Sequence, residues 1–240
     1  MRDILYARTI PISHNLNIYV PTLAEIKEFS FYNYYALVTA ICANPKDYSI
    51  PLDEMGLRYM DLSEYDLFNL LFTTYMNDEQ SKAKLRIIFG DESDLDLHIQ
   101  ERDDSFVWCN RDNKVIIDSY THSVIDSQLR LLTGLHKDLG QAGNMVQYKR
   151  EIEKKKRLMK KAKKKNYISI LENEIIMAVN NQHFKYNYET VLGLSLYQFN
   201  NSVKQILRET ELNYMKQSAY VGMLDISKIS NEDLSLIPIN

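Results

Sequence analysis

Apolar residues recur every three or four positions through residues 22–43, a spacing that predicts an amphipathic helix. Thr22 followed three residues later by Glu25 is typical of a capping box, so we expect the helix to begin there. The ring of Pro45 disfavours helical geometry at the preceding residue, which predicts that the helix ends before it. A second broad apolar face follows Ser63, which we expect to cap another helix.

Other stretches are short and apolar, or alternate between apolar and polar residues, which favours β-strands. We expect strands over residues 16–20, 84–90, 95–100, 105–110 and 115–118. Leu95, Leu97 and Ile99 fall on one face of their strand, with polar residues on the other. A turn at residues 111–114 joins the last two stretches, which therefore predict an antiparallel hairpin.

The rest of the chain has helical spacing, interrupted by a loop at residues 136–147. We expect helices over residues 119–133, 149–165, 167–181, 195–208 and 211–222, and a final turn capped by Ser230 or Asn231. Ser119 or Thr121 is expected to cap the first of these helices, and Gly134 to end it. The apolar stripe of the helix that begins at Ser195 consists of Leu196, Phe199, Val203, Ile206 and Leu207.

These patterns predict an α+β fold that is mainly helical. N-terminal helices accompany a small antiparallel β-hairpin, and a lysine-rich helix leads to a helical C-terminal region. The expected organisation is an α+β domain over residues 1–135, a linker with the basic helix over 136–165, and a helical domain over 166–240. Seven glycines and five prolines among 240 residues favour helices over a many-turned β-sandwich.

The two cysteines, Cys42 and Cys109, are too few for a disulfide framework and are typical of a reducing compartment. The first twenty residues lack the long apolar stretch and the cleavage site of a signal peptide. No apolar run approaches the length of a membrane span. The sequence therefore predicts a soluble cytoplasmic protein that does not bind a membrane.

The net charge of −3 conceals a strongly basic segment. Residues 149–165 carry eleven Lys or Arg and two Glu, while the whole chain has 29 basic and 32 acidic residues, which leaves 18 basic and 30 acidic residues, or −12, elsewhere. A basic helix attached to an acidic body favours either an anionic partner or self-association through opposite patches.

The basic segment supports two interpretations. As an electrostatic contact for nucleic acid, flanked by the rings of Tyr148 and Tyr167, it would use Lys154, Lys155, Lys156, Arg157, Lys160, Lys161, Lys163, Lys164 and Lys165. Alternatively, it is a solvated helix, or one that packs on the acidic body. Contiguous lysines wind around a helix instead of lining one stripe, which favours the second interpretation over sequence-specific recognition.

The chain contains no motif typical of a catalytic or cofactor site, so we predict a protein without catalytic residues or a cofactor. Asp94, Asp96 and His98 have the chemistry to bind a divalent cation, but a polar strand face explains the same residues, and we predict no metal site. Cys109 is expected to be a small buried thiol, and His122 an exposed helix residue.

Residues 180–203 combine aromatic rings with amides, which is typical of a nucleic-acid platform or of a packed helical hairpin. We favour the hairpin, with its caps and core residues at Asn187, Ser195, Phe184, Leu192, Leu196 and Phe199. Tyr186 and Tyr188 are then candidates for exposed contacts. Together with Tyr197 they form the predicted partner-binding set, because tyrosine is favoured at interfaces.

Several segments carry a resemblance to a group of phage proteins. These segments are FKYNYETVLGLSLYQFNNSVKQI and YVGMLDISKI near the C-terminus, YYALVTAICANP and LSEYDLFNLLF near the N-terminus, and the lysine-rich connector. Together they resemble uncharacterised proteins encoded in the tail-gene regions of phages that infect low-GC Gram-positive bacteria.

The resemblance implies a non-enzymatic role in tail morphogenesis, as an assembly chaperone or a minor structural component. The implied partner is a hydrophobic, aggregation-prone tail protein such as the tape measure or the tail tube protein. The implied location is the host cytoplasm or the virion, and self-association into a homo-oligomer is also expected.

Overall fold

The computed structural model describes residues 4–102, 105–138, 140, 144–162, 169–225, 227, 229–230 and 235. It has the predicted mainly helical α+β fold, with two small antiparallel sheets where the sequence predicts one hairpin. The strands are β1 Thr9–Ser13, β2 Leu16–Tyr19, β3 Leu97–Arg102, β4 Ser105–Asn110 and β5 Ile116–Ile117. The α-helices are α1 Leu23–Phe29, α2 Phe31–Cys42, α3 Ser49–Glu54, α4 Glu64–Met76, α5 Glu79–Lys84, α6 Arg86–Phe89, α7 Ser119–Thr133, α8 Met145–Ala162, α9 Ile170–Val179 and α10 Leu196–Tyr220.

Capping boxes begin α1, α4 and α10: the box at Thr22 is predicted by the sequence, and Ser63 and Ser195 are the predicted caps of the other two helices. The side chains of Thr22, Ser63 and Ser195 each accept a hydrogen bond from the backbone N–H three residues further on. The side chain of that third residue accepts in return from the N–H of the cap. These local bonds satisfy backbone donors that the first helical turn leaves without partners.

The helix predicted over residues 22–43 consists of two helices. Ser30 separates α1 from α2 with a φ of 86°, and its N–H donates to the carbonyl oxygen of Lys27 at 3.2 Å. Such a φ lies outside the helical region, so the hydrogen-bond ladder stops there. The apolar spacing continues across Ser30, and for that reason the sequence pattern does not reveal the break.

The strand predicted over residues 84–90 is wrong, because this run is helical. Asp78 caps α5 by accepting from the N–H of Ser81, and α6 follows directly. Leu85, Ile88 and Phe89 are all buried, and α6 contacts β2. A short apolar run is compatible with a strand or with a buried helix, and here helical spacing brings the three side chains to one face.

Several helix boundaries also differ from the prediction, and α8 begins at Met145, inside the predicted loop 136–147. Asp118, and not Ser119 or Thr121, caps α7 by accepting from the N–H of Thr121 at 2.7 Å. The helices predicted over 195–208 and 211–222 are one helix, α10, because no Gly or Pro interrupts it and Leu212 extends its buried stripe.

Although α10 has 25 residues, neither it nor any other described helix is apolar enough to cross a bilayer. The predicted final turn falls largely outside the described residues.

The sheet of β3, β4 and β5 is antiparallel in that order, and the predicted turn joins β4 to β5. Trp108 is buried beneath it, and its indole N–H donates to Oδ1 of Asn69 at 2.9 Å. Leu97 is buried, but Ile99, which the predicted alternation places on the same face, is 45% exposed. Phe106 on β4, opposite Glu101, is also exposed.

Buried side chains from all three predicted segments of the chain join one hydrophobic cluster. Backbone hydrogen bonds also connect distant parts of the chain: Leu23 donates to Leu194, and Leu196 donates to Pro21, each at 2.9 Å. These bonds hold the start of α1 against the start of α10. The division of the chain at residues 135 and 165 stays a prediction.

Helix α7 lies at the centre of the fold, where it contacts α2, α10, β1, β2 and β5. His122 on its inner face is 2% exposed, so the prediction of an exposed histidine is wrong. Its Nε2–H donates to the carbonyl oxygen of Ile41 at 2.9 Å, and its ring lies 4.4 Å from that of Phe68. Burial lowers the pKa of His122, although the bond to Ile41 opposes this effect.

The lowered pKa of His122 predicts that the protein loses stability in mild acid. Its contribution is fully present above the unfolded-state pKa of about 6.5, and it is lost as the pH falls through the lower folded-state value. We expect the free energy of unfolding to fall more steeply between about pH 7.5 and about pH 5 in the native chain than in His122→Gln. Urea titrations followed by Trp108 fluorescence measure both slopes.

The variant retains the charged groups that face His122, namely Asp126, Glu64 and Lys137. Their own titration therefore cancels in the comparison of the two chains. Equal slopes would mean that the protonation of His122 does not differ between the folded and unfolded states.

Candidate functional site

The inner side of α8 is anchored to the body of the protein. Tyr148 and Ile152 are buried, and the ring of Tyr148 stacks on that of Tyr59 with 5.4 Å between their centroids. The hydroxyl of Tyr148 donates to Oδ1 of Asp53 on α3 at 3.4 Å. A helix that the sequence describes as solvated therefore has one apolar face against α3, which leaves its opposite side exposed.

Two of the predicted nucleic-acid-binding lysines serve as further anchors. The Nζ of Lys155 donates to the carbonyl oxygen of Lys46 at 2.6 Å and to Oγ of Ser49 at 3.0 Å. Lys156 donates to Oδ2 of Asp53 at 2.8 Å. Burial lowers the pKa of Lys155, whereas the hydrogen bond that Lys156 donates to Asp53 raises the pKa of Lys156. Both cations are committed to contacts within the chain, as the interpretation of a helix packed on an acidic body expects.

The outer side of α8 carries a continuous group of cations, which we name the basic face. Its members are the exposed residues Lys149, Arg150, Lys154, Arg157, Lys160 and Lys161. Within the described ranges, the carboxylate partner of this face is Glu153, 3.6 Å from Arg157. The predicted residues Lys163, Lys164 and Lys165 lie outside the described residues.

The structure does not bring Asp94, Asp96 and His98 together as a metal site. Asp94 accepts from the side-chain amide of Asn110 at 2.8 Å, and this bond lowers its pKa. Asp96 faces Lys82 and Arg111 at 3.4 and 3.5 Å. The described part of the chain holds no group of three His, Cys, Asp or Glu side chains arranged for a metal ion.

The cysteines are packed as core residues. Cys42 and Cys109 are both buried, as predicted for small apolar side chains. Burial raises the pKa of the Cys42 thiol, and the nearby carboxylate of Asp126 raises it further. A thiol in such surroundings stays protonated and is a poor nucleophile.

The three predicted partner-binding tyrosines differ in exposure. Tyr186 and Tyr188 are 40% and 54% exposed on the loop between α9 and the 3₁₀ helix Thr190–Gly193. Tyr188 accepts at its hydroxyl from the amide of Asn180 at 3.1 Å. Tyr197 is half-buried against the core, so Tyr186 and Tyr188 offer the larger contact area.

Sequence reasoning missed a groove of about 500 Å³ between α2, the end of α7, α9 and α10, which we name the four-helix groove. Its walls are largely apolar, and they include Tyr35, Leu135, Ile170, Val203 and Leu207. Ile170 and Leu207 are 75% and 55% exposed, although Leu207 belongs to the stripe predicted to face the core. Exposed apolar residues at both walls give this groove the character of a binding surface.

The four-helix groove contains one acidic group and adjoins a second apolar surface. Glu174 lies in its wall, and burial raises the pKa of this carboxyl. Leu207 also lines a shallow groove of about 480 Å³ at the end of α10, together with Tyr214, Met215 and Met223. The two grooves place apolar surface along the C-terminal half of α10. Such a surface can hold an apolar segment of another molecule.

Comparisons with known proteins assign no family to the chain. No protein-family model, no curated protein and no solved structure matches it. Its role must therefore be inferred from its own surfaces.

The two kinds of lysine on α8 predict different effects on stability. Replacing Lys155 by Met removes the ammonium group that donates to the carbonyl oxygen of Lys46 and to Oγ of Ser49. We expect the free energy of unfolding to fall by about 1.5–3 kcal/mol. Lys154→Met is the matched control, because this exposed neighbour should change the value by less than about 0.5 kcal/mol. Urea unfolding followed by Trp108 fluorescence measures both variants, and equal losses would contradict the anchoring role of Lys155.

Proposed function

We propose that the chain is a non-enzymatic phage protein that acts in tail morphogenesis by binding a tail partner, as an assembly chaperone or a minor structural component. The observation that carries this proposal is the apolar surface of the four-helix groove and its continuation along α10. Large exposed apolar surfaces bordered by polar residues are typical of protein-binding sites.

The chemistry of the groove favours binding over catalysis. Ile170 and Leu207 present side chains that lose contact with water when a partner covers them, and full burial of each is worth about 1.5–3 kcal/mol. Glu174 can orient the partner by accepting a hydrogen bond inside a largely apolar wall.

The proposed partner is a hydrophobic tail protein, the tape measure or the tail tube protein, bound in the host cytoplasm or carried into the virion. Its identity comes from the sequence resemblance, and the groove supports its chemistry: an apolar segment, such as one face of a helix, fits between α9 and α10. Tyr186 and Tyr188 provide a second exposed contact on the loop that follows α9.

Substitutions in the four-helix groove are expected to remove partner binding without unfolding the chain. In Ile170→Gln/Leu207→Gln, two exposed apolar side chains become polar, so the partner loses apolar contacts while the core stays intact. We expect affinity for the tail tube or tape measure protein to fall by at least about tenfold. Co-expression of the tagged chain with each tail protein, followed by size-exclusion chromatography and calorimetry, measures the loss.

The matched control is Leu70→Gln/Leu131→Gln, which changes two exposed leucines that line neither groove. This control should bind the tail partner as the native chain does. If neither tail protein binds, or if both double variants lose binding equally, the proposal is wrong. If the native chain alone forms a dimer that the groove variant abolishes, a second copy occupies the groove instead.

A further inference from the structure

We propose that the basic face of α8 binds the sugar-phosphate backbone of double-stranded nucleic acid without reading its sequence. This activity is separate from the groove and from the tail partner. It follows from the division of the α8 lysines into two groups, of which one is anchored to the body and the other is turned outward.

The basic face has the dimensions and charge of a phosphate-binding surface. It runs from Lys149 to Lys161, which corresponds to about 18 Å of helix. Duplex DNA carries one negative charge per about 1.7 Å of its axis, so the six exposed cations meet more phosphates than they can neutralise. Glu153 contacts Arg157, and elsewhere in the described ranges no carboxylate neutralises this face.

The position of Tyr148 argues against recognition of a single strand. Proteins that bind single strands stack bases on exposed aromatic rings. Tyr148, the aromatic residue of α8, is buried and stacked on Tyr59, so it cannot receive a base. Backbone contacts remain, and these do not depend on sequence.

The composition of the basic face argues against a membrane or a protein partner. A helix that lies on a bilayer inserts a continuous apolar face. The buried apolar residues of α8, Tyr148 and Ile152, are turned inward, and its exposed apolar residues, Met145, Val146, Leu158 and Met159, lie in two short groups at its ends instead of forming one such face. Protein interfaces are depleted in lysine at their centres and depend on aromatic and apolar anchors. Four of the six cations here are lysines, a composition typical of phosphate contacts.

The test is fluorescence anisotropy with labelled DNA duplexes of about 30 base pairs, in salt from about 50 to about 200 mM. We expect two duplexes of unrelated sequence to bind the full-length chain with affinities within about twofold of each other. The logarithm of the association constant should fall linearly with that of the salt concentration, with a slope of about −3.5 to −5.5 for four to six phosphate contacts.

The decisive variant is Lys154→Gln/Arg157→Gln/Lys161→Gln, which removes three cations from the basic face. We expect it to lose at least about tenfold in affinity and to have a shallower salt dependence, by about one unit of slope per contact removed. The control Lys27→Gln/Lys84→Gln/Lys216→Gln has the same net charge but changes exposed lysines elsewhere, and it should bind as the native chain does. Circular dichroism and Trp108 fluorescence verify that both variants are folded.

Three results would overturn the proposal: no binding of either duplex at low salt, equal losses in the two triple variants, or displacement of the duplex by polyglutamate at equal charge concentration. The last result would assign the basic face to an acidic protein surface. The groove variant Ile170→Gln/Leu207→Gln should retain DNA binding, so a failure of this proposal and a failure of the proposed tail role are distinguishable.

Discussion

The fold depends on the packing of α7 against both sheets and against helices from each half of the chain. This helix buries polar groups together with its apolar stripe: His122 bonds to Ile41, and Asp126 pairs with Arg130 at 2.7 Å. A buried polar group without a partner costs about 1–3 kcal/mol, so the bond from His122 to Ile41 restricts how α2 can lie against α7, whereas the pair of Asp126 and Arg130 lies within α7 itself. Helices α8, α9 and α10 add buried side chains to the same hydrophobic cluster.

The lysines on the inner and outer sides of α8 have different roles. Lys155 and Lys156 hold the helix on α3, while the basic face points away from the body. The anchors fix the rotation of the helix about its axis, and this rotation concentrates the outward cations on one side. The proposed nucleic-acid contact depends on that geometry, and the proposed tail role depends on the separate apolar groove beside α10.

Sequence patterns succeeded where the signal was local. The capping box at Thr22, the helix caps at Ser63 and Ser195, the strand before Pro21 and the hairpin of β4 and β5 depend on neighbouring residues, and all are confirmed. Patterns failed where distant packing decided the outcome. The run at residues 84–90 became helical against β2, and His122 became buried because α2 and α4 cover it.

The candidate sites divide in the same way. The sequence by itself determined that residues 149–165 are strongly basic, and it identified Tyr186 and Tyr188 as candidates for exposed contact, because charge and residue type are local properties. Tertiary structure alone decided which lysines face outward, and it alone formed the four-helix groove. The physical reason is that a groove wall and a helix rotation are set by contacts between residues far apart in the chain, which no local spacing records.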